Sequence, residues 1–288
     1  MTTTLGHVLD DPVRASLHGA HARFRLGDGA VVRYHPDVAR FVGHPQRPAA
    51  ADFAALARLA VPGTPISLRD VRGPLPAGWR VVDEVPLVQY DGAALATAPD
   101  PEAEVLGPAD VDEILDLVAR TRPGPFERRT VELGLYLGLR DASGRLIALA
   151  GERMRPPGWT EISAVCTDPG HRGQGLATRL VRAVGHHIRS RGDVPFLHTS
   201  AGNTDARAVY EHLGFRLRAT LPLLLVQPPT TDPTGASWPS PSPGRSRPRP
   251  TPISPSSRTC RSGTASSGAA GWPSPWPSSC SRSSWPRR

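Results

Sequence analysis

The sequence predicts an α/β fold with one strongly patterned domain, a smaller α/β region before it and a disordered tail after it. Helical and strand patterns alternate regularly between residues 101 and 227, and the composition changes abruptly at residue 228. We therefore expect an N-terminal α/β region at 1–100, a main domain at 101–227 and a tail at 228–288. A Pro-containing acidic stretch at 98–104 is expected to link the first two.

Residues 1–100 combine short β-like runs with one Ala-rich helix. Runs rich in β-branched and aromatic residues predict four strands, at 21–27, 30–35, 65–70 and 79–90. The helix is expected at 52–60. This region therefore has the composition of a folded α/β segment.

The main domain begins with a helix and a β-hairpin. Asp110 and Glu113 form a capping-box pattern at the helix start, and a Pro/Gly cluster at 121–125 ends the helix. The hairpin is expected at 135–154, with its turn at 141–144. Strand and helix patterns then continue to alternate.

The second part of the domain is predicted as strand, helix, strand, helix and a last pair of strands. The strands are expected at 159–167 and 194–200, and the last pair at 215–227. The helices are expected at 175–190 and 204–213. The first of these helices is amphipathic, because apolar residues recur at helical spacing at Leu176, Leu180, Val181, Val184 and Ile188.

The tail has a composition that cannot bury a core. It contains 14 Pro and 16 Ser among 61 residues. It also holds four of the six Trp of the chain. Two interpretations stay open, a native disordered extension and a shifted reading frame or non-native terminus, and we assign the tail no chemistry.

Charge and cysteine content exclude several classes of protein. The tail has eight Arg against Asp232, which accounts for +7 of the net charge of +8 and leaves +1 for residues 1–227. A nucleic-acid partner is therefore not expected. No stretch approaches the roughly 20 apolar residues of a membrane helix, and the first residues show no secretory signal, so we expect a cytoplasmic protein without a membrane partner. The cysteines, Cys166, Cys260 and Cys280, fit neither a disulfide framework nor a zinc site, and no metal is expected.

A polar turn between the strand at 159–167 and the helix after it has the features of an anion site. Gly173 and Gly175 bracket the first turn of the helix. The first amides of a helix lack intrahelical partners, and the helix dipole favours anions there. Arg172 can bind a phosphate with two hydrogen bonds. The alternative is a strand–helix turn that uses glycine for backbone geometry alone.

Two other phosphate-binding loops fit less well. A Walker-type loop needs a Lys, and the chain has none. A dinucleotide fingerprint needs a third Gly where Thr178 stands, although Asp193 lies near the distance of a ribose-binding acid. A nucleotide-binding interpretation therefore remains as a weak alternative.

A second motif follows some 30 residues after the turn. The order RGQGLA and then N-x-x-A-x-x-x-Y-x-x-x-G-F closely resembles the GNAT superfamily of acyl-CoA N-acyltransferases. The first motif matches the pattern of that family at Arg172, Gly175 and Ala177. The resemblance covers about residues 105–227, and the block before the turn resembles the C-terminal half of glycine N-acyltransferases. In that branch a region such as 1–100 is often a degenerate copy of the same fold.

The resemblance implies a fold, a co-substrate and a binding site. The fold is a mixed, mostly antiparallel central sheet flanked by helices, and the co-substrate is acetyl-CoA. Backbone groups of Val165, Cys166 and Thr167 would contact the thioester and pantetheine arm, and Asn203 would contact the pantetheine arm. The pyrophosphate would bind at Arg172, Gly173, Gln174, Gly175, Leu176, Ala177 and Thr178.

The resemblance also implies catalytic residues. Tyr210 would lie near the sulfur, where a phenol with a pKa of about 10 could protonate a leaving thiolate. His198 could accept a proton from the attacking amine, with Glu161 and then Glu152 as competing bases. Each of these side chains could instead be structural.

Direct transfer in a ternary complex is the expected chemistry. Cys166 could in principle carry an acyl group, but a strand cysteine is more often simply buried. The acceptor would be a primary amine on a small molecule or a peptide. The alternative function is a non-catalytic acyl-CoA-binding or sensing module that keeps the loop but lacks a working acid or base.

Overall fold

A computed structural model of the protein describes residues 7–229. The tail from residue 230 lies outside the described residues, and with it most of the segment predicted to be disordered. The helices are α1 (Pro12–Leu17), α2 (Ala50–Leu59), α3 (Val111–Thr121), α4 (Leu176–Ser190) and α5 (Thr204–His212). The strands are β1 (Arg25–Leu26), β2 (Val32–Tyr34), β3 (Val42–Gly43), β4 (Ile66–Arg69), β5 (Arg80–Asp91), β6 (Glu104–Leu106), β7 (Tyr136–Arg140), β8 (Leu146–Glu152), β9 (Trp159–Thr167), β10 (Val194–Ser200) and β11 (Arg216–Gln227).

An eight-stranded sheet forms the centre of the fold. Its strand order is β4-β11-β5-β10-β9-β8-β7-β6, while β1, β2 and β3 form a separate small sheet. Among the described strands of the large sheet, only β9 and β10 pair in parallel. The mixed, mostly antiparallel sheet expected for the main domain is therefore confirmed.

The parallel pair β9–β10 separates after a few residues. Its register runs from Val194↔Trp159 to Phe196↔Glu161 and stops there. Beyond that point β10 continues to pair with β5, and β9 continues to pair with β8. The two strands thus diverge and leave an open edge along the second half of β9.

A β-bulge lies on this open part of β9. The register with β8 gains one residue on β9 between Ser163 and Cys166, and Ala164 has a φ of 54°. A positive φ is uncommon for a residue with a Cβ and marks a local departure from the pleat. The bulge sits next to the point where β9 and β10 separate.

Helices cover both faces of the sheet around this point. The apolar stripe of α4 is buried with Ala148 and Ala150 of β8, whereas α3 packs in the cluster that holds Leu149 and Cys166. Successive residues of a strand face opposite sides. The helices α3 and α4 therefore lie on opposite faces, with the strands between them.

The first hundred residues contribute two strands to the central sheet. β5 lies between β10 and β11, and β4 pairs with the outer edge of β11. The linker segment is also held in place, because Arg179 of α4 binds both oxygens of Asp100 at 2.7 and 2.9 Å. The central sheet thus includes strands from both sides of residue 100, and the division of the chain at that residue stays a prediction.

Several local predictions need correction. The segment 215–227 is one long strand rather than a pair, because β11 pairs with β5 along its whole length and accommodates two register shifts without turning back. The capping box at the start of α3 is absent, because Glu113 binds Arg140 and the amide of Leu146 instead. The sequence also gave no signal for α1, β3 and β6, which are short.

No helix within residues 7–229 is long and apolar enough to cross a lipid bilayer. In the same range no group of three or more His, Cys, Asp or Glu side chains has the arrangement of a metal site.

Candidate active site

The turn between β9 and α4 is open and exposed. Asp168 accepts a hydrogen bond from Gly170 and starts a short 3-10 helix, Pro169–His171. Gly173 and Gly175 follow with φ values of 77° and 73°, and a Cβ at either position would have no atom within 4 Å. The backbone conformation therefore requires glycine, while the space beside it is free.

After this short 3-10 helix, the amides from Gly173 to Thr178 have no acceptors among residues 7–229. The first bond of α4 runs from the amide of Arg179 to the carbonyl of Gly175, and the N-cap residue Gly175 supplies no side chain. Within the described part of the chain, the amides from Gly173 to Thr178 donate no hydrogen bond. Because exposed helix N-terminal amides favour anions, this loop is suited to bind a phosphate or diphosphate group. Arg172 beside it is exposed.

The open edge of β9 leads to this loop. The amide of Asp168 donates to Ile147 of β8 at 2.7 Å, so in an antiparallel ladder the peptide groups of Thr167 point to the other side, away from β8. Val165, two residues earlier, is half-buried on the same open edge. An extended ligand could form main-chain hydrogen bonds along this edge.

Cys166 faces away from the open edge. Its side chain is 8% exposed and packs in the cluster beneath α3. Burial raises the pKa of the Cys166 thiol to about 11. A buried thiol that stays protonated is a poor nucleophile, which favours direct transfer over an acyl-cysteine intermediate.

Asn203 caps α5, with its Oδ1 accepting from the amide of Ala206 at 3.3 Å. Its side-chain NH₂ group makes no hydrogen bond within residues 7–229. Two turns further on, Tyr210 is 8% exposed and packs against the rings of Tyr90 and Phe215. Burial, and then the nearby Cys166, raise the pKa of the Tyr210 hydroxyl to about 12.

The two competing candidate bases are in direct contact. Nδ1 of His198 lies 2.7 Å from Oε1 of Glu161, and Glu161 is fully buried. Arg153 binds the same carboxylate with two hydrogen bonds of 2.7 Å. Glu161 is therefore a buried carboxylate with protein partners on both oxygens.

Charge and burial set the protonation of this pair. Burial alone would raise the pKa of Glu161, but Arg153 and then His198 hold it well below its usual range. Burial, together with the nearby Arg69 and Arg153, lowers the pKa of His198 although Glu161 acts to raise it. The pair is thus a carboxylate beside a neutral imidazole.

Two residues of the first hundred complete the environment of His198. Nε2 of His198 lies 2.9 Å from Nε2 of Gln89 on β5 and 3.3 Å from a guanidinium nitrogen of Arg69 on β4. Sequence reasoning missed both residues, and also Arg153, because each reaches the pair through a contact that local sequence patterns do not show.

The remaining acidic candidates have structural partners. Glu152 is 3% exposed and forms an ion pair of 2.7 Å with Arg191. Asp193 binds Arg155 and the hydroxyl of Thr160. The sheet thus brings His198 and Glu161 together, while no hydrogen bond or ring contact joins Tyr210 to them in the part of the chain that the structure describes.

A narrow pocket lies beside the bulge of β9. It is lined by Arg153, Ser163 and Ala164 and by the loop 123–126 after α3. The ring of Phe126 in this loop packs edge-on against the ring of Tyr136, with the two ring centroids 5.5 Å apart. The Tyr136 hydroxyl is buried and makes no hydrogen bond within the described residues.

Comparisons with known proteins agree with this architecture. The family model of FR47-like proteins matches residues 136–221, which include the open loop and the Asn203–Tyr210 helix. A solved structure described as an acetyltransferase from the GNAT family, from Novosphingobium aromaticivorans, is 38% identical in sequence with a TM-score of 0.71. That match covers 78% of this chain and 100% of the other.

The chain belongs to the GNAT family.

Curated relatives of this GNAT protein carry a more specific name. A mycothiol acetyltransferase from Mycobacterium sp. (strain JLS) is 27% identical, and the match covers 65% of this chain and 76% of the relative. A mycothiol acetyltransferase from Corynebacterium glutamicum is 42% identical over 64 residues, 22% of each chain. Family membership and these relatives make the protein an acyl-CoA N-acyltransferase, which confirms the resemblance read from the two motifs.

Proposed function

We propose that this GNAT protein transfers an acetyl group from acetyl-CoA to a primary amine by direct attack in a ternary complex. The observation that carries the proposal is the row of unpaired amides from Gly173 to Thr178 at the end of the open edge of β9. The diphosphate of the co-substrate would occupy the loop, with Arg172 beside it. Its pantetheine arm would then extend along Val165 and Thr167, with the amide group of Asn203 opposite.

Cys166 is not expected to contact the co-substrate as Val165 and Thr167 would. Its peptide groups belong to the ladder with β8 and its thiol to the core. We propose that Cys166 supports the strand edge by packing and forms no bond to the acyl group.

Tyr210 is the proposed general acid. When the amine attacks the thioester carbonyl, the tetrahedral intermediate collapses and expels the CoA thiolate, which takes up a proton. The Tyr210 hydroxyl stays protonated throughout the neutral range because burial raises its pKa to about 12. It can therefore donate a hydrogen bond to the sulfur as negative charge develops there.

His198 is the proposed acceptor of the proton lost by the amine. Its ring is neutral because burial lowers its pKa, and Glu161 on the other nitrogen can stabilise the imidazolium that forms, as the acid of a catalytic triad does. Gln89 and Arg69 occupy the accepting nitrogen in this structure. Proton transfer therefore requires the amine, or a bridging water, to replace one of these contacts.

The pocket beside the bulge has a volume of only about 10 Å³, and it is the proposed position of the acceptor's reacting amino group alone. It adjoins Ala164, and Arg153 in its wall is the partner of Glu161. An amine held there would approach the thioester from the α3 face of β9. The acceptor is a small-molecule or peptide amine.

The test is a turnover assay with acetyl-CoA against amino acids, amino sugars and peptides, in which the released thiol is measured. We expect turnover with at least one amine, and Tyr210→Phe should lower kcat by about 10²–10⁴-fold without changing the affinity for CoA. Tyr90→Phe is the matched control, because it removes a hydroxyl from the neighbouring ring that binds Glu211 and Arg207. Tight CoA binding without turnover of any amine would favour the acyl-CoA-binding module instead.

A further inference from the structure

Gln89 lies at the centre of the buried polar cluster, and its amide has a fixed orientation. The residue is fully buried on β5. Its Oε1 accepts a hydrogen bond of 2.6 Å from Arg218 of β11. Its Nε2 donates to the carbonyl of Leu9 at 2.9 Å. Because a guanidinium can only donate and a carbonyl can only accept, these two contacts assign the oxygen and nitrogen of the Gln89 amide without ambiguity.

The orientation of Gln89 determines the tautomer of His198. The second hydrogen of the Gln89 amide points at Nε2 of His198, 2.9 Å away, and Arg69 also donates toward that nitrogen. Nε2 must therefore carry the lone pair. The ring proton then resides on Nδ1 and is donated to Glu161 at 2.7 Å.

The opposite tautomer would face repulsion at both ring nitrogens. Its Nε2–H would point at two donors, and its Nδ1 lone pair would point at the carboxylate of Glu161. Unsatisfied polar groups are costly in a buried site. A single neutral tautomer is thus selected by contacts from β4, β5 and β9.

The charged groups around the ring come from five elements. Glu161 lies on β9, Arg153 at the end of β8, Arg69 on β4 and Arg218 on β11, where it also binds Asp10 before α1. Asp11 lies 3.8 Å from Arg69. Gln89, by contrast, is neutral and contacts the imidazole directly. A charge at position 89 would therefore change the protonation of His198.

We propose that Gln89 is a positioning residue that keeps His198 neutral, with its lone pair on Nε2. The role of that lone pair in accepting the amine's proton rests on the proposed function. The tautomer itself does not, so the two can be tested separately.

The experiment is nitrogen NMR of the histidine rings in the full chain, with His198 assigned from the spectrum of His198→Gln. In the parent protein we expect a neutral His198 with its proton on Nδ1. His21 is an internal control of the opposite tautomer, because its Nε2 faces the carbonyl of Leu133 while Nδ1 faces the Tyr34 hydroxyl. Gln89→Glu should protonate both nitrogens of His198 at pH 7 and leave the His21 signals unchanged.

Catalysis supplies the second measurement. In Gln89→Glu the His198 ring has no lone pair at pH 7, so kcat/KM should fall at least tenfold and the acidic limb of its pH profile should move to higher pH. Acetyl-CoA affinity should stay unchanged. A histidine that merely filled space would not shift the pH profile.

The outcomes distinguish this inference from the proposed function. A neutral His198 in Gln89→Glu would overturn the positioning role of Gln89, whether or not the protein has activity. Altered ring protonation with an unchanged pH profile would overturn the link to proton transfer while leaving the acetyltransferase intact. If Gln89→Glu does not fold, Gln89→Met removes the donor without adding charge. In that variant the Nε2 signal of His198 should move as expected for a lone pair that has lost the nearer of its two donors and keeps only Arg69, and an unmoved signal would contradict the proposal.

Discussion

The loop at Gly173–Thr178 and the buried cluster around Glu161 and His198 differ in how their polar groups are satisfied. Gly173, Gln174 and Gly175 of the loop are exposed, and its amides have no acceptor in the part of the chain that the structure describes. In the cluster, both oxygens of Glu161 and both ring nitrogens of His198 have protein partners. The loop can therefore gain hydrogen bonds when an anion arrives, whereas the cluster must exchange the bonds it already has.

This difference separates two kinds of functional evidence. Unpaired, exposed amides indicate a binding site directly, because only a ligand or water can satisfy them. A buried network in which every polar group has a protein partner indicates a stable fold and fixed side-chain orientations. Its chemical role depends on which hydrogen bond a substrate or water can replace. The strongest predictions for the two regions accordingly concern different quantities, ligand affinity for the loop and unfolding free energy for the cluster.

The largest expected effect is a loss of unfolding free energy when the buried Glu161–His198 cluster is changed. Arg153→Met removes the cation that binds Glu161 and leaves a buried carboxylate without its main partner, which should cost about 3–5 kcal/mol of unfolding free energy. The measurement is urea unfolding at pH 7. Arg128→Met is the control, since Arg128 and Asp112 form an exposed pair, with 67% and 85% of their side chains accessible, and should lose less than about 1 kcal/mol.

The double variant Arg153→Met, Glu161→Leu sharpens this test. It removes both charges, so it should be more stable than Arg153→Met alone. A double variant that is less stable than the single one would contradict the view that the uncompensated carboxylate causes the loss.

The next effect concerns the loop. Gly175→Ala places a Cβ on a residue with a φ of 73°, which should cost about 1–2 kcal/mol of stability and weaken CoA binding at least tenfold, or about 1.4 kcal/mol. Gly192→Ala is the matched control, because Gly192 has a φ of 83° and equally open surroundings beyond the other end of α4. Calorimetric titration with CoA should find weaker binding only in Gly175→Ala; equal losses in both variants would show a general effect of backbone strain.

The smallest effect is the pH dependence of the cluster. Burial lowers the pKa of His198 in the folded protein, so the unfolded chain binds more protons as the pH falls below about 6.5. The stability contributed by the neutral ring is complete above that pH and decreases as the pH falls toward the folded-state pKa. Between pH 7.5 and pH 5, His198→Gln should therefore lose less unfolding free energy than the parent. Identical slopes in urea unfolding would contradict this account of His198.

The loop could be predicted from the sequence because its signals are local. Gly173 and Gly175 stand where a strand pattern changes to a helical one, and the structure has β9 ending at Thr167 and α4 starting at Leu176. The helix that carries Tyr210 followed in the same way from the pattern between Asn203 and Gly214. Turn geometry and helix periodicity are properties of neighbouring residues, so these elements agree within a residue or two.

The buried cluster could not be predicted because its contacts are long-range. The sequence offered Glu161 and His198 as separate candidates, and only the parallel pairing of β9 and β10 makes them one pair. Gln89 and Arg69 reach that pair because β5 is inserted beside β10 and β4 lies beyond β11. Similarly, β11 is one strand where the sequence predicts two, because its pairing with β5 along the whole length keeps it extended.

Hydrogen exchange of the backbone amides by NMR, with and without acetyl-CoA, tests the central claim most directly. The account predicts that the amides from Gly173 to Thr178 exchange rapidly in the free protein and become strongly protected when acetyl-CoA binds, while the amides at the other end of α4 do not change. Bound acetyl-CoA, established by calorimetry on the same sample, together with unchanged exchange at Gly173–Thr178 would contradict it.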